Sequence, residues 1–177
     1  MTNPMLPGGE AATFDDPLAM LSACHVRIRK QLATLARLER HLPEHGHDDD
    51  ARAAARAILR YFDSAAVHHH QDEEASLLPR LAARAPEARA LSERLLREHG
   101  ELAACSRRLR PLLSGIAAGQ RAVLPPKLVH GMAAAYHAHI ELEESRLIPL
   151  ARSTLSADEV ATIGSEMAGR RGVPVAA

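Results

Sequence analysis

His69 and Glu73 stand four residues apart, and so do His139 and Glu143. On a helix that spacing puts an imidazole and a carboxylate on one face, about 6 Å apart at Cβ. Such a pair can be a hydrogen-bonded core contact, or both side chains can hold a cation. The flanking residues bear on the choice. "HQDEEASLLP", from His70 to Pro79, follows His69, and seventy residues after His69 "HIELEESRLIP" begins at His139. Aligned on proline, His69 matches His139, Glu73 matches Glu143, Glu74 matches Glu144 and Pro79 matches Pro149. Two further histidines pair in the same way: Leu21 and His25 of "LSACHVRI" match Leu95 and His99 of "LLREHGEL". The chain reads as a tandem duplication of a helix pair, each pair carrying His … HxxxEExxLxP.

The elements that must position these residues are helices. Leu18, Leu21, His25, Ile28, Leu32 and Leu35 recur every three or four residues, a continuous stripe on one helix face. Pro43 and Gly46 are expected to end this helix, and "HDDD" at 47–50 gives the next an acidic start, where carboxylates suit free backbone N–H groups. The second helix is expected over 51–84, with Ile58, Phe62, Ala66, His69, Glu73 and Leu77 as its stripe. Pro86 opens the third, whose stripe is Leu91, Leu95, His99, Leu102, Leu109 and Leu113. Pro125-Pro126 opens the fourth, with Met132, Tyr136, His139, Glu143, Leu147 and Leu150. Ser156 and Glu159 form a capping box for a short fifth helix. Long amphipathic helices on short connections predict an all-α, up-down-up-down four-helix bundle with a short extra C-terminal helix. The expected divisions are a disordered leader over 1–16, the bundle over 17–151, and the short helix and tail over 152–177.

Composition agrees. The chain has 177 residues, 46% hydrophobic but only 2% aromatic, so Ala and Leu carry the core and favour helix over sheet. A formal net charge of zero offers no basic footprint for nucleic acid. No stretch reaches the roughly 18 uncharged apolar residues of a membrane span. The N-terminus lacks the basic and apolar regions of a secretory signal, and two cysteines, Cys24 and Cys105, make no disulfide framework. A reducing cytoplasm is the expected setting.

A lone histidine on an apolar stripe is ordinarily a core residue with one hydrogen bond. Here antiparallel helices bring His25 level with His69, and His99 and His139 also sit near mid-helix. Four imidazoles and two carboxylates then meet inside the bundle at one height. Buried carboxylates are costly without a counter-charge, and a cation supplies it. The set is too large for one tetrahedral zinc; mixed nitrogen and oxygen ligation with open positions suits a pair of iron ions, with manganese or zinc less suited.

The doubled HxxxEExxLxP resembles the hemerythrin family, in its bacterial HHE (cation-binding) branch, over residues 17–151. The resemblance implies a di-iron, oxo- or hydroxo-bridged centre, with His25, His69, His99 and His139 as terminal ligands and Glu73 and Glu143 as bridges. Oxygen-carrying members usually have a further histidine one turn after the third-helix ligand, where this chain has Ala103. They also place the last carboxylate five residues after its histidine, at Glu144 here; repeat symmetry and the i+4 angle favour Glu143, with Glu144 the alternative. Some relatives place a ligand beside the second-helix histidine, which makes His70 either a boundary residue or an extra ligand.

Other groups are read more plainly. His68, His130 and His137 are surface residues, and His41, His45 and His47 a loop cluster capable of weak adventitious metal binding at most. Cys24 is a packing residue. Tyr136 is a core residue one turn before His139, or a donor to an iron-bound ligand. Glu74 and Glu98 are exposed helix glutamates, or acceptors that orient ligating imidazoles. The leading function is a non-enzymatic protein binding O2, NO or a related small ligand for sensing, storage or protection, with a separate protein partner if it signals. The alternative is a di-iron enzyme or iron donor, serving iron–sulfur cluster repair or removal of peroxide or nitric oxide.

Overall fold

The computed structural model describes residues 13–84 and 86–174, so most of the expected leader lies outside the described residues. The chain is all helical there. α1 (Pro17–His45) is followed by α2 (Asp49–Phe62) and α3 (Ala65–Asp72). A π-helical turn (Glu73–Leu77) leads into α4 (Leu78–Arg84). α5 (Pro86–Ala117) returns along the bundle. α6 (Pro126–Leu142), a second π-helical turn (Glu143–Leu147) and α7 (Ile148–Thr154) make the fourth rod, and α8 (Ala157–Arg170) packs outside. The rods α1, α2–α4, α5 and α6–α7 touch in ring order, each antiparallel to the next, which is the expected four-helix bundle with its extra C-terminal helix.

The apolar stripes bury in two separate layers. One layer holds Ile28, Leu35, Ile58, Leu102, Leu113 and Met132. The other holds Leu18, Leu21, Leu77, Leu95, Leu147 and Ile163. The level between them is polar. On α1, His25 separates Leu21 from Ile28; on α5, His99 separates Leu95 from Leu102. Each rod passes a hydrophobic stretch, a polar stretch and another hydrophobic stretch. The two dry layers fix the height and rotation of the residues between them.

Several local features depart from the sequence reading. α1 runs through Pro43 to His45 and ends at Gly46, whose φ of 74° suits a residue without Cβ. His41 and His45 are therefore helical residues; only His47 is in the connection, where its Nε2 accepts from the Ala122 N–H at 3.0 Å. The second rod is not one helix. It starts at Asp49, breaks at Asp63–Ser64, and widens into the π turn at Glu73. The fourth rod widens at Glu143 in the same register.

The capping box of α8 is present, with the Ser156 hydroxyl accepting from the Glu159 N–H and the Glu159 carboxylate from the Ser156 N–H. Gly164 of α8 lies so close against the Phe14 carbonyl that a Cβ would collide with its oxygen, so glycine suits that crossing.

Candidate metal centre

The two π turns begin at the glutamates of the repeated motif. In each, the backbone N–H five residues on closes the wide turn: Leu78 to the Glu73 carbonyl, and Ile148 to the Glu143 carbonyl. The motif's proline explains why. Pro79 has no N–H for the Ala75 carbonyl four residues back, and its ring crowds that oxygen; Pro149 stands in the same relation to Ser145. A widened turn takes up the crowding, and such turns recur at functional sites.

The structure brings His25, His69, Glu73, His99, His139 and Glu143 together, each at most 3% exposed. Glu143 is central. Its Oε2 lies 2.9 Å from His25 Nε2 and 4.0 Å from His69 Nε2, and its Oε1 lies 2.9 Å from His139 Nε2 and 3.7 Å from His99 Nε2. Glu73 approaches His99 Nε2 at 3.2 Å and His69 Nε2 at 3.6 Å. These approaches are not aligned as hydrogen bonds: all four Nε2 atoms and all four carboxylate oxygens are buried without a hydrogen-bond partner. Eight inward polar atoms left unpaired in a dry interior would cost far more than a small domain can carry.

A cation relieves that cost, and the donor set fits two. His25, His69, Glu73 and Glu143 offer ligand atoms all within 4.8 Å of one another, and so do His99, His139, Glu73 and Glu143. Both groups contain the same two glutamates. Each helix pair contributes two imidazoles to one group, and the two glutamates belong to both.

Further carboxylates hold three of the rings from behind. His25 Nδ1 lies 2.5 Å from Glu144 Oε1, His99 Nδ1 2.8 Å from Glu74 Oε1, and His139 Nδ1 2.8 Å from Glu98 Oε2. Such contacts select the tautomer that turns Nε2 inward. Glu144 therefore sits behind a histidine, while Glu143 faces the centre. Glu74 and Glu98 are acceptors to imidazoles in the structure, where exposed glutamates are the ordinary expectation. His69 has no counterpart, and its Nδ1 is buried without a partner.

The electrostatics reflect two carboxylates in one dry site. Burial and the Glu143 charge push Glu73 up to about 8. Burial also acts on Glu143, but its contacts with His139, His25 and His99 outweigh it and hold this carboxyl well below the usual range. Burial would lower His99, yet Glu143 and Glu73 raise it to about 10; His25 and His139 are raised by the same balance against Glu143. His69 is driven well below its ordinary value by burial.

His70 lies at the edge. Its ring stacks on His99 at 4.1 Å between centroids, its Nε2 is buried without a partner, and its ligand atoms reach those of His99 and His139 within 4.8 Å. Burial lowers it to about 3. Tyr136 is a buried core residue 6.3 Å from the His70 ring. Cys24 is buried, and burial raises its thiol. His130 and His137 are exposed and His68 half-buried.

Sequence reading misses Asp72 and Ser76, which lie buried on the outer side of the same turn. Asp72 takes Arg170 of α8 at 2.9 Å and Arg171, just past its end, at 2.6 Å; Ser76 lies 2.5 Å from both Glu166 and Arg170. The cue was the "GRRG" at the end of α8, two adjacent cations of which Arg170 has a local carboxylate, Glu166 at 4.0 Å, and Arg171 none among the described residues.

No helix among the described residues is long and apolar enough to cross a membrane. A protein of Haemophilus influenzae described as uncharacterized is 33% identical over 162 residues, which are 92% of this chain and 94% of that relative. The family model described as the hemerythrin HHE cation binding domain matches residues 16–151, the stretch that holds the four rods up to the last residues of α7 and every residue of the centre. With its four histidines and two shared glutamates in that stretch, the chain belongs to the hemerythrin HHE cation-binding domain family.

Proposed function

We propose that this is a non-haem di-iron protein that binds O2, NO or a related small ligand for sensing, storage or protection. His25 and His69 would hold one iron, His99 and His139 the other, and Glu73 and Glu143 would bridge them. One observation carries the reading: two four-residue donor groups share the same two buried, unpartnered carboxylates. Bound there, two ferrous ions supply electrons and open coordination positions to a diatomic ligand.

The chain's own residues set the rest. Glu144, Glu74 and Glu98 fix three of the rings in the tautomer a cation needs. The layers around Leu21 and Leu95 on one side and Ile28 and Leu102 on the other exclude water from two directions. Ala103 offers no ligand one turn beyond His99, so the second position has only His99 and His139 as imidazoles unless His70 joins them.

Anaerobic loading with ferrous iron, followed by metal analysis and exposure to oxygen in a spectrophotometer, tests this. The expected result is about two irons per chain and a ferric form that takes up azide, with any oxygenated form short-lived. One tightly held zinc per chain with iron excluded would sink the reading. Sustained consumption of peroxide or nitric oxide by the loaded protein would instead support the enzyme alternative.

A further inference from the structure

Among the described residues, the helical wall of the bundle is interrupted between α2 and α3. α2 ends at Phe62 and α3 starts at Ala65. Between them Ser64 leaves the helical region at φ −134°, ψ −76°, and its hydroxyl donates to the Arg60 carbonyl at 2.5 Å. Such a back-bond bends helices. Beside the break opens a cavity of about 370 Å³, within the size range of organic-ligand sites. Its lining on α5 extends from Ala103 to Leu113, about 15 Å at the helical rise, and on the facing rod from His70 to Ile58. That volume over that length makes a narrow trench rather than a round chamber.

The trench is mostly apolar within, lined by Ile58, Phe62, Ala66, Leu109 and Met132, with the hydroxyl-bearing Ser106 and Tyr136 among them, a histidine at one end and charged groups at the rim. Its inner end is closed by His70, whose buried Nε2 has no partner. Its rim carries two arginines. The Arg110 guanidinium is already committed to Asp63, with two contacts of 3.0 Å. Arg107 is exposed and makes no ion pair among the described residues.

We propose that this trench binds an amphipathic monoanion, an aliphatic carboxylate of medium chain length, with its headgroup on Arg107 and its chain along α5. The narrow apolar interior selects an extended chain, and one spare cation at the rim selects one negative charge. A neutral chain leaves Arg107 to water, and a dianion meets Asp63. The proposal deepens the di-iron reading and rests on it in one respect: His70 at the inner end stacks on His99, so an occupied trench covers the approach to the His99–His139 side.

Calorimetric titration of decanoate into the protein, both as purified and after iron loading, tests this. Saturable binding of one decanoate per chain is expected, with decanol weaker. Arg107→Glu should weaken decanoate at least tenfold, and Ala103→Phe, which fills the inner end, should abolish binding; circular dichroism checks that both variants stay helical. In the iron-loaded protein, decanoate should slow the rise of the azide absorption band, and in Arg107→Glu it should not. The proposal is overturned by the absence of saturable binding, or by an affinity that neither variant changes, which would mark adsorption elsewhere. Failure to take up two irons would remove the di-iron reading and leave decanoate binding measurable. Two irons without decanoate binding would remove the trench alone.

Discussion

Asp72 and Leu142 occupy equivalent places in the two motifs, each one residue before its glutamate, yet they face different surroundings. Asp72 is 1% exposed and holds two arginines at the end of α8, Arg170 and the capping Arg171. Leu142 is half-buried against the outer apolar layer. The neighbouring positions diverge in the same way: Ser76 is buried between Glu166 and Arg170, whereas its counterpart Arg146 is exposed. His70 borders the trench, whereas its counterpart Ile140 is core. The inward residues, histidine and glutamate, are the same in both halves. A duplicated helix pair keeps alike what faces the shared centre, and its other positions follow whatever covers them: the end of α8 over Asp72 and Ser76, an apolar layer beside Leu142, and solvent over Arg146.

The comparison is sharpest at the two glutamates. Glu143 lies within 4.0 Å of all four imidazole Nε2 atoms, Glu73 of two. Glu143→Ala should therefore do more damage than Glu73→Ala. Both should fall below two irons per chain after anaerobic loading and desalting, with Glu143→Ala lower. Equal losses would mean that the loaded centre is symmetric and that the four-against-two difference in imidazole approaches does not govern iron binding.

A second experiment breaks the two halves apart at their outer faces. Replacing both Arg170 and Arg171 by Ala leaves Asp72 as a buried, unpaired carboxylate, a change that costs about 3 kcal/mol. Leu142→Ala, at the equivalent place, removes a half-buried side chain and should cost roughly 1 kcal/mol. Urea unfolding of the two variants measures both. The arginine variant should also release iron faster, because Asp72 precedes Glu73 directly. Similar costs would show that α8 is an ornament on the bundle rather than a clamp on its first half.

Much of this was legible in the sequence, for a physical reason. A histidine or glutamate in an apolar stripe violates the stripe, and six violations at matching repeat positions have to converge; the six residues do meet in the structure. The bundle follows from the same stripes. What the stripes conceal is non-local or conformational. The break at Ser64 has no proline or glycine to announce it. It goes with a side-chain bond to Arg60 and with an Arg110–Asp63 pair spanning 47 residues. Asp72 falls one residue off the stripe, and its partners come 98 and 99 residues later. Pro43 looks like a terminator, but α1 continues past it to His45. The π turns were readable in principle: a proline six residues after each glutamate, inside an otherwise helical pattern, demands a defect in the turn before it.

The smallest expected effects test the shell behind the rings. Glu144, Glu74 and Glu98 each accept from one imidazole Nδ1, and His69 has no such partner. Loss of an acceptor behind a metal-bound histidine typically costs 10–100-fold in metal affinity, because the ring can turn or change tautomer. Glu144→Ala, Glu74→Ala and Glu98→Ala should each weaken iron retention by about that factor in competition with a chelator, while two irons still bind at saturation. Glu144→Ala is the most informative of the three. In a straight helix a residue five positions after His139 is rotated by about 140° from it, against about 40° for Glu143. The wide turn begins at Glu143, so it leaves that difference intact. Glu144 then reaches His25 from outside, and its loss should leave the stoichiometry at two. A Glu144→Ala protein that took up no iron would move the bridge one residue along the chain and break the symmetry between the two motifs.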